Sequence, residues 1–217
     1  MATILNPSYR SRLSYQAALL GGMCYLMSML LIGGNQTTSD LIDQHLLNDK
    51  LALLDQVMPP SRYDNDPVAA AQWVSAGQWS QQAVEIMPAT RGGVLTGAAL
   101  QMTVPGWGGP INFIMAVDQT GEILGVRVIS HKETPGLADK IEIDKDNWIT
   151  GFEGHSLANT PRVQWAVKKD NGDFDQFTGA TITPRAMVNG VYAGLQVYQT
   201  WRQQHTATAA AQEARHE

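Results

Sequence analysis

Ile111-Asn112-Phe113-Ile114-Met115-Ala116-Val117-Asp118 and Ile123-Leu124-Gly125-Val126-Arg127-Val128-Ile129-Ser130 are two apolar runs separated by Gln119-Thr120-Gly121-Glu122. A glycine-containing turn between two such runs reads as a β-hairpin. Outward from it, Val94–Val104 reads as a preceding strand, Leu137–Ile143 as a short helix or turn, and Val163–Lys168 as a further strand. Thr183-Pro184 opens a final helix, with threonine at the N-cap and proline at the first helical position. Val188, Val191, Tyr192, Leu195 and Tyr198 fall on one face of that helix. Strands in succession with helices at the ends predict an α+β fold with an antiparallel sheet, not a βαβ alternation.

Toward the N-terminus, Thr37, Thr38 and Ser39 can cap a helix that runs to about Val57 and stops before Pro59-Pro60. Residues 61–91 read as irregular, punctuated by Pro67, Gly77 and Pro88, with Trp73 and Trp79 as packing groups. The run Ala17–Gly34 carries no charge and has the length of a membrane-spanning helix. Arg10 and Arg12 precede it, and Asp40 and Asp43 follow. The positive-inside rule then keeps the N-terminus in the cytoplasm and sends the following domain outward. The rival reading is a cleavable signal peptide ending at Gly33-Gly34; no Ala-x-Ala pattern follows the apolar run, which favours the anchor. The expected organisation is a cytoplasmic N-terminus (1–12), a transmembrane helix (13–34), a connecting helix and irregular segment (35–91) and one domain (92–202). The Ala-, Thr- and Gln-rich tail (203–217) is expected to be frayed or disordered.

The chain has 217 residues, 44% hydrophobic and 16% charged, with a formal net charge of −5. A core of good size is within reach, and a nucleic-acid partner, which needs a basic face, is not indicated. The single cysteine, Cys24, forms no internal disulfide and cannot hold an iron–sulfur cluster. The five histidines are scattered, with no i, i+4 metal pair. Redox chemistry would therefore need an organic cofactor or a partner's metal.

Three stretches carry candidate chemistry. Pro105-Gly106-Trp107-Gly108-Gly109-Pro110-Ile111 joins two strands; its glycines allow close backbone approach to a ligand and Trp107 offers a flat apolar face. His131-Lys132-Glu133-Thr134-Pro135-Gly136-Leu137 is turned by Pro135 and Gly136, presenting the Glu133 and Thr134 polar groups and nearby amides in a fixed direction. In Asp175-Gln176-Phe177-Thr178-Gly179-Ala180-Thr181-Ile182-Thr183-Pro184, the Gly179-Ala180 pair leaves the Thr181 hydroxyl accessible. The helix behind Thr183 points free N–H groups toward it, which favours a phosphate. Each stretch also has an ordinary reading: a strand connection, a Pro-Gly turn, a capped helix.

Taken in order, the three stretches make the chain similar to the FMN-binding domain in the G subunit of the Rnf (also called Rsx) electron transport complex. A relative is the C subunit of the sodium-pumping NADH:quinone oxidoreductase. Asp175-Gln176-Phe177-Thr178-Gly179-Ala180-Thr181 matches that family's flavinylation motif, Asp-x-x-(Ser/Thr)-Gly-Ala-Thr, without a gap. Asp139-Lys140-Ile141-Glu142, Trp148 and Gly154-His155-Ser156-Leu157 resemble the Rnf branch; Ala138 departs from an expected glycine.

The resemblance implies FMN esterified through its phosphate to Thr181 by a separate flavin transferase. The implied cofactor residues are Asp175, Thr178, Gly179, Ala180 and Thr183 around the anchor, Glu133, Thr134, Pro135, Gly136 and Leu137 in the second stretch, and Gly106, Trp107 and Gly108 in the first. Amides of the Glu133–Leu137 loop are the expected donors favouring reduced flavin. No metal site and no independent catalytic residues are implied. The implied role is that of an electron carrier in an ion-translocating ferredoxin:NAD+ oxidoreductase. It would lie in the bacterial inner membrane beside subunits A, B, C, D and E, with its domain facing the periplasm. Two other readings stay open: a flavin-free membrane-anchored binding or assembly module, and a stand-alone flavin-linked reductase.

Overall fold

Strand β3 (Val94–Pro105) and strand β4 (Pro110–Asp118) alternate their side chains between two apolar layers. Ala98, Leu100, Met102 and Val104 of β3, with Ile111, Phe113, Met115 and Val117 of β4, enter one core. Ala99, Ile114 and Ala116 enter a second core on the opposite face. Side chains of a strand alternate with period two, so one sheet with both faces covered produces this division. The computed structural model describes residues 13–75, 77 and 83–213.

Strand β1 (Gln72–Ser75), strand β2 (Ala83–Arg91), β3, β4 and strand β5 (Ile123–Ser130) form one antiparallel sheet in the order β1-β2-β3-β4-β5. The expected hairpin is β4–β5, closed by the Asp118 N–H to Glu122 carbonyl bond of 2.9 Å. The segment read as irregular supplies two strands that the sequence reading missed. Pro88 is tolerated in β2 because β1 pairs only with residues up to Ile86, leaving Pro88 on an open edge. Asn65 covers that edge, donating from Nδ2 to the Pro88 carbonyl at 2.9 Å and accepting from the Thr90 N–H at 2.8 Å.

Helix α2 (Ile182–Glu213) packs its Val188, Val191, Leu195 and Tyr198 face on the larger core. It continues to Glu213, so residues 203–213 are helical where a frayed tail was expected; 214–217 lie outside the described residues. The expected strand at Val163–Lys168 is absent: Arg162–Gln164 is a 3-10 turn, and only Val167 pairs, with Phe174. Trp165 and Val167 are buried while Val163 is exposed, so the apolar content fills the core from an irregular segment. Trp73 is 69% exposed and not a packing group; Trp79 lies outside the described residues.

The chain divides into two units, Met1–Asp49 and Lys50–Glu217. Helix α1 (Leu13–Val57) shows no break at Thr37–Ser39, so the two helices expected there are one element. In the first unit, Tyr15–Ile32 has mean hydropathy 1.5 and no buried residue. Its length and composition suit a membrane span. In the second unit, Leu54, Val57 and Met58 fill the smaller core, and Lys50 pairs with the buried Glu85 at 2.9 Å.

Tyr198 fastens α2 to the hairpin turn through its hydroxyl, which donates to the Asp118 carbonyl at 2.9 Å. Burial pushes its phenol up from 10.0 to about 12. A group with a raised folded pKa contributes stability in full below its unfolded value and loses it as pH rises through the folded one. The domain should therefore weaken between about pH 10 and 12. Thermal melts across that window check this, and Tyr198→Phe should flatten the dependence.

Candidate functional site

Phe177-Thr178-Gly179-Ala180 is a tight turn closed by the Ala180 N–H to Phe177 carbonyl bond of 3.1 Å. Gly179 occupies its third position at φ 83°, where a type II turn requires a positive φ. The chain then enters α2. The Thr181 carbonyl accepts from the Arg185 N–H at 3.4 Å, which makes Thr181 the N-cap. This corrects the expectation that Thr183 caps the helix. Thr183 stands two residues further on, within the first turn and buried, and its hydroxyl donates to Glu133 Oε2. Pro184, whose missing N–H costs nothing in a first turn, follows it.

A cavity of about 180 Å³ opens at this helix start, lined by Trp107, Thr134, Leu137, Ala138, Gly179, Ala180, Thr181, Ile182 and Thr183. All three candidate stretches thus meet at one place. Ala138 and Ile182 were not among the expected cofactor residues; each simply adjoins a residue that was. Ala138 at φ −111°, ψ −6° needs no glycine, so its departure from the family pattern is harmless here. Trp107, Leu137 and Ile182 leave 70%, 40% and 43% of their surface exposed around the opening. Such an apolar rim about a helix N-terminus suits a ligand with a flat apolar body and an anionic end.

Other expected residues stand elsewhere. Asp175 and Thr178 line a separate, larger groove of about 480 Å³ with Trp148, Asn147 and Lys140. There the Asp175 carboxylate pairs with Lys168 at 2.7 Å, and its carbonyl accepts from Trp148 Nε1 at 2.8 Å. Pro135 and Glu133 border a third groove, beside His131 and Glu142.

Gly106 and Gly108 allow close approach between segments of the protein itself. A Cβ on Gly106 would meet Glu133 Oε1 and lie 2.7 Å from Ile111 Cδ1; one on Gly108 would run into the Lys132 carbonyl. The Glu133 carboxylate is consumed within the protein: Oε1 accepts from the Gly108 N–H at 2.9 Å and Oε2 from Thr183.

The amides expected to face a ligand are mostly engaged as well. Glu133 N–H donates to His131 Nδ1 at 3.0 Å and Leu137 N–H to the Thr134 carbonyl at 3.3 Å. Gly136 N–H donates to Asp139, and Pro135 has no N–H. Thr134, exposed on the cavity wall, retains the one amide of this loop with no acceptor among the described residues.

The Gly136 bond, ahead of the smaller effects of Lys145 and His131, holds the Asp139 carboxyl below its ordinary 3.8. A depressed carboxyl contributes stability above its unfolded pKa and loses it as pH falls through the folded value. The loop carrying Thr134 and Leu137 should loosen below about pH 4. Asp139→Asn should remove that acid limb from a pH series of Trp107 fluorescence, compared with Trp107→Phe to isolate its signal.

The FMN-binding domain family matches residues 106–196, which contain every wall of the cavity. The G subunit of the ion-translocating oxidoreductase complex of Stutzerimonas stutzeri is 53% identical over 192 residues, 88% of this chain and 83% of that one. The corresponding G subunit of Escherichia coli (strain K12) is 43% identical over 158 residues, 72% and 77% of the two chains. The crystal structure of Shewanella oneidensis NqrC superposes with a TM-score of 0.46 at 21% identity, covering 70% of this chain and 72% of that one. By its identity to these relatives over most of its length, the chain belongs to the family of G subunits of ion-translocating oxidoreductase complexes.

Proposed function

We propose that this protein is a membrane-anchored electron carrier of an Rnf-type complex, with FMN held by a phosphoester to Thr181. The observation that carries the reading is the placement of Thr181: N-cap of α2, on the wall of a cavity where all three candidate stretches converge. The first N–H groups of a helix lack intrahelical acceptors and carry the positive end of its dipole. Ile182 and Thr183 supply such groups beside the Thr181 hydroxyl. The Gly179 turn brings the chain past that hydroxyl without a side chain of its own.

The residues fit the group. Trp107, Leu137 and Ile182 provide apolar surface for the ring system, and Thr134 a backbone donor and a hydroxyl at its edge. FMN supplies the redox chemistry, accepting and releasing electrons at its ring. Pockets that enclose a drug-sized ligand run to about 300–1,000 Å³. A cavity of about 180 Å³ would shelter only part of the cofactor. The remainder would face outward, which suits transfer to a partner better than turnover of a small substrate.

The apolar span Tyr15–Ile32 supports anchoring in the bacterial inner membrane, and Arg10 and Arg12 before it support a periplasmic domain. Subunits A to E of the complex would be its partners and a flavin transferase its maturation enzyme. Coupling of ferredoxin and NAD+ chemistry to Na+ or H+ movement would then belong to the assembly. Intact-mass measurement of chain co-expressed with the transferase should show an added ~438 Da, the mass of FMN less water. An unmodified chain beside a control protein that the same cells do flavinylate would overturn the reading.

A further inference from the structure

We infer that Glu133 is the positioning residue of the flavin site, tying its three stretches together and setting the cofactor's reduction potential through a buried, unpaired charge. This rests on the proposed flavin at Thr181. Glu133 is only 4% exposed. Its two oxygens reach the two other stretches, Oε1 taking the Gly108 N–H and Oε2 the Thr183 hydroxyl. Its own backbone is held from the other side: Glu133 N–H donates to His131 Nδ1 at 3.0 Å, and His131 Nε2 meets Glu142 Oε1 at 2.5 Å. Since Nδ1 accepts, Nε2 donates. A chain of bonds therefore runs from the half-exposed Glu142 through His131 and Glu133 to the first turn of α2.

Among the described residues no lysine, arginine or histidine nitrogen forms an ion pair with the Glu133 carboxylate. Both of its partners are neutral donors. A tie between loops does not need a charge, since a glutamine could accept one bond and donate the other. A buried charge is costly, and its field is weakly screened. This one lies behind Thr183, which lines the cavity. A fixed negative charge there disfavours electrons arriving on the cofactor, and so lowers its potential. The Thr183 hydroxyl partly neutralises that charge by donating to it.

The two groups should therefore move the potential in opposite directions. Redox titration of the flavin-loaded protein tests this on the wild type, Glu133→Gln, Thr183→Val and Thr183→Ser. Glu133→Gln removes the charge and should raise the potential. The expected size is at least about a tenfold change in the ratio of reduced to oxidised flavin at fixed ambient potential, equivalent to about 30 mV for a two-electron couple. Thr183→Val keeps the charge and withdraws a donor, and should lower the potential; Thr183→Ser should restore it. Should Glu133→Gln not fold, the Thr183 pair decides by itself. Loaded variants at the wild-type potential, or both shifted the same way, overturn the inference and leave the flavin assignment standing. A wild-type chain with no added mass at Thr181 instead overturns the flavin assignment.

Discussion

Thr181→Ala should carry no covalent flavin. Protein from cells that flavinylate the wild type should run colourless on a denaturing gel and lack the added mass of about 438 Da. The effect is all or none, because an ester needs a hydroxyl at this one position and alanine has none. Little else should change. Thr181 is partly exposed, and loss of a threonine N-cap costs typically about 1 kcal/mol. Thr183→Ala is the informative companion. It leaves the Thr181 hydroxyl intact while stripping the buried Glu133 of a donor, at a cost of about 1–3 kcal/mol. The folded fraction should still be yellow. Flavin retained on Thr181→Ala and lost on Thr183→Ala would move the acceptor two residues along the chain.

The different fates of these two threonines mark what the sequence could tell. The surroundings of Thr181 were legible because they are local, a glycine turn before it and a helix start after it written within seven residues, although the cap was read two residues late, at Thr183. The role of Thr183 was not, because its partner lies 50 positions upstream, and no local rule points a helix-start hydroxyl at a particular distant carboxylate. The same contrast runs through the fold. The β4–β5 hairpin was readable from period-two alternation around a glycine turn. Strand β2 was hidden by Pro88, whose tolerance depends on β1 ending before it. Val163–Lys168 has strand-like composition, yet its Trp165 and Val167 are drawn into the core from an irregular segment; local propensity yielded to tertiary packing. Asp175 carries the start of the motif and still faces a different groove from Thr181. The motif has two sides: its second half, from Gly179, lines the cavity and its first half lies outside.

Gly108→Ala should destabilise the domain more than any other single methyl added around the cavity. The position is not conformationally special, for Gly108 is absent from the residues with positive φ. The obstacle is space. A Cβ there would enter the Lys132 carbonyl oxygen and lie 2.7 Å from its carbon and 3.4 Å from the Glu133 nitrogen. Those are backbone atoms, so no side-chain rotation relieves the contact. The loop must lift, and the Gly108 N–H bond to Glu133 Oε1 breaks as it does. Overpacking costs about 1–3 kcal/mol, and an under-satisfied buried carboxylate adds about 1–3 kcal/mol. A loss of about 3 kcal/mol or more should appear as a fall of roughly 6–12 °C in Tm for a domain of this size. Gly136→Ala is the contrast. Gly136 sits at φ 74° with open space around it, so alanine there meets only the backbone penalty of about 1–2 kcal/mol. If the two variants melt alike, the close approach of the Trp107 loop to Lys132 and Glu133 is wrong. If Gly108→Ala alone falls steeply, the glycines of that loop serve to bring Trp107 against the Glu133 segment, and the wall of the cavity depends on that contact.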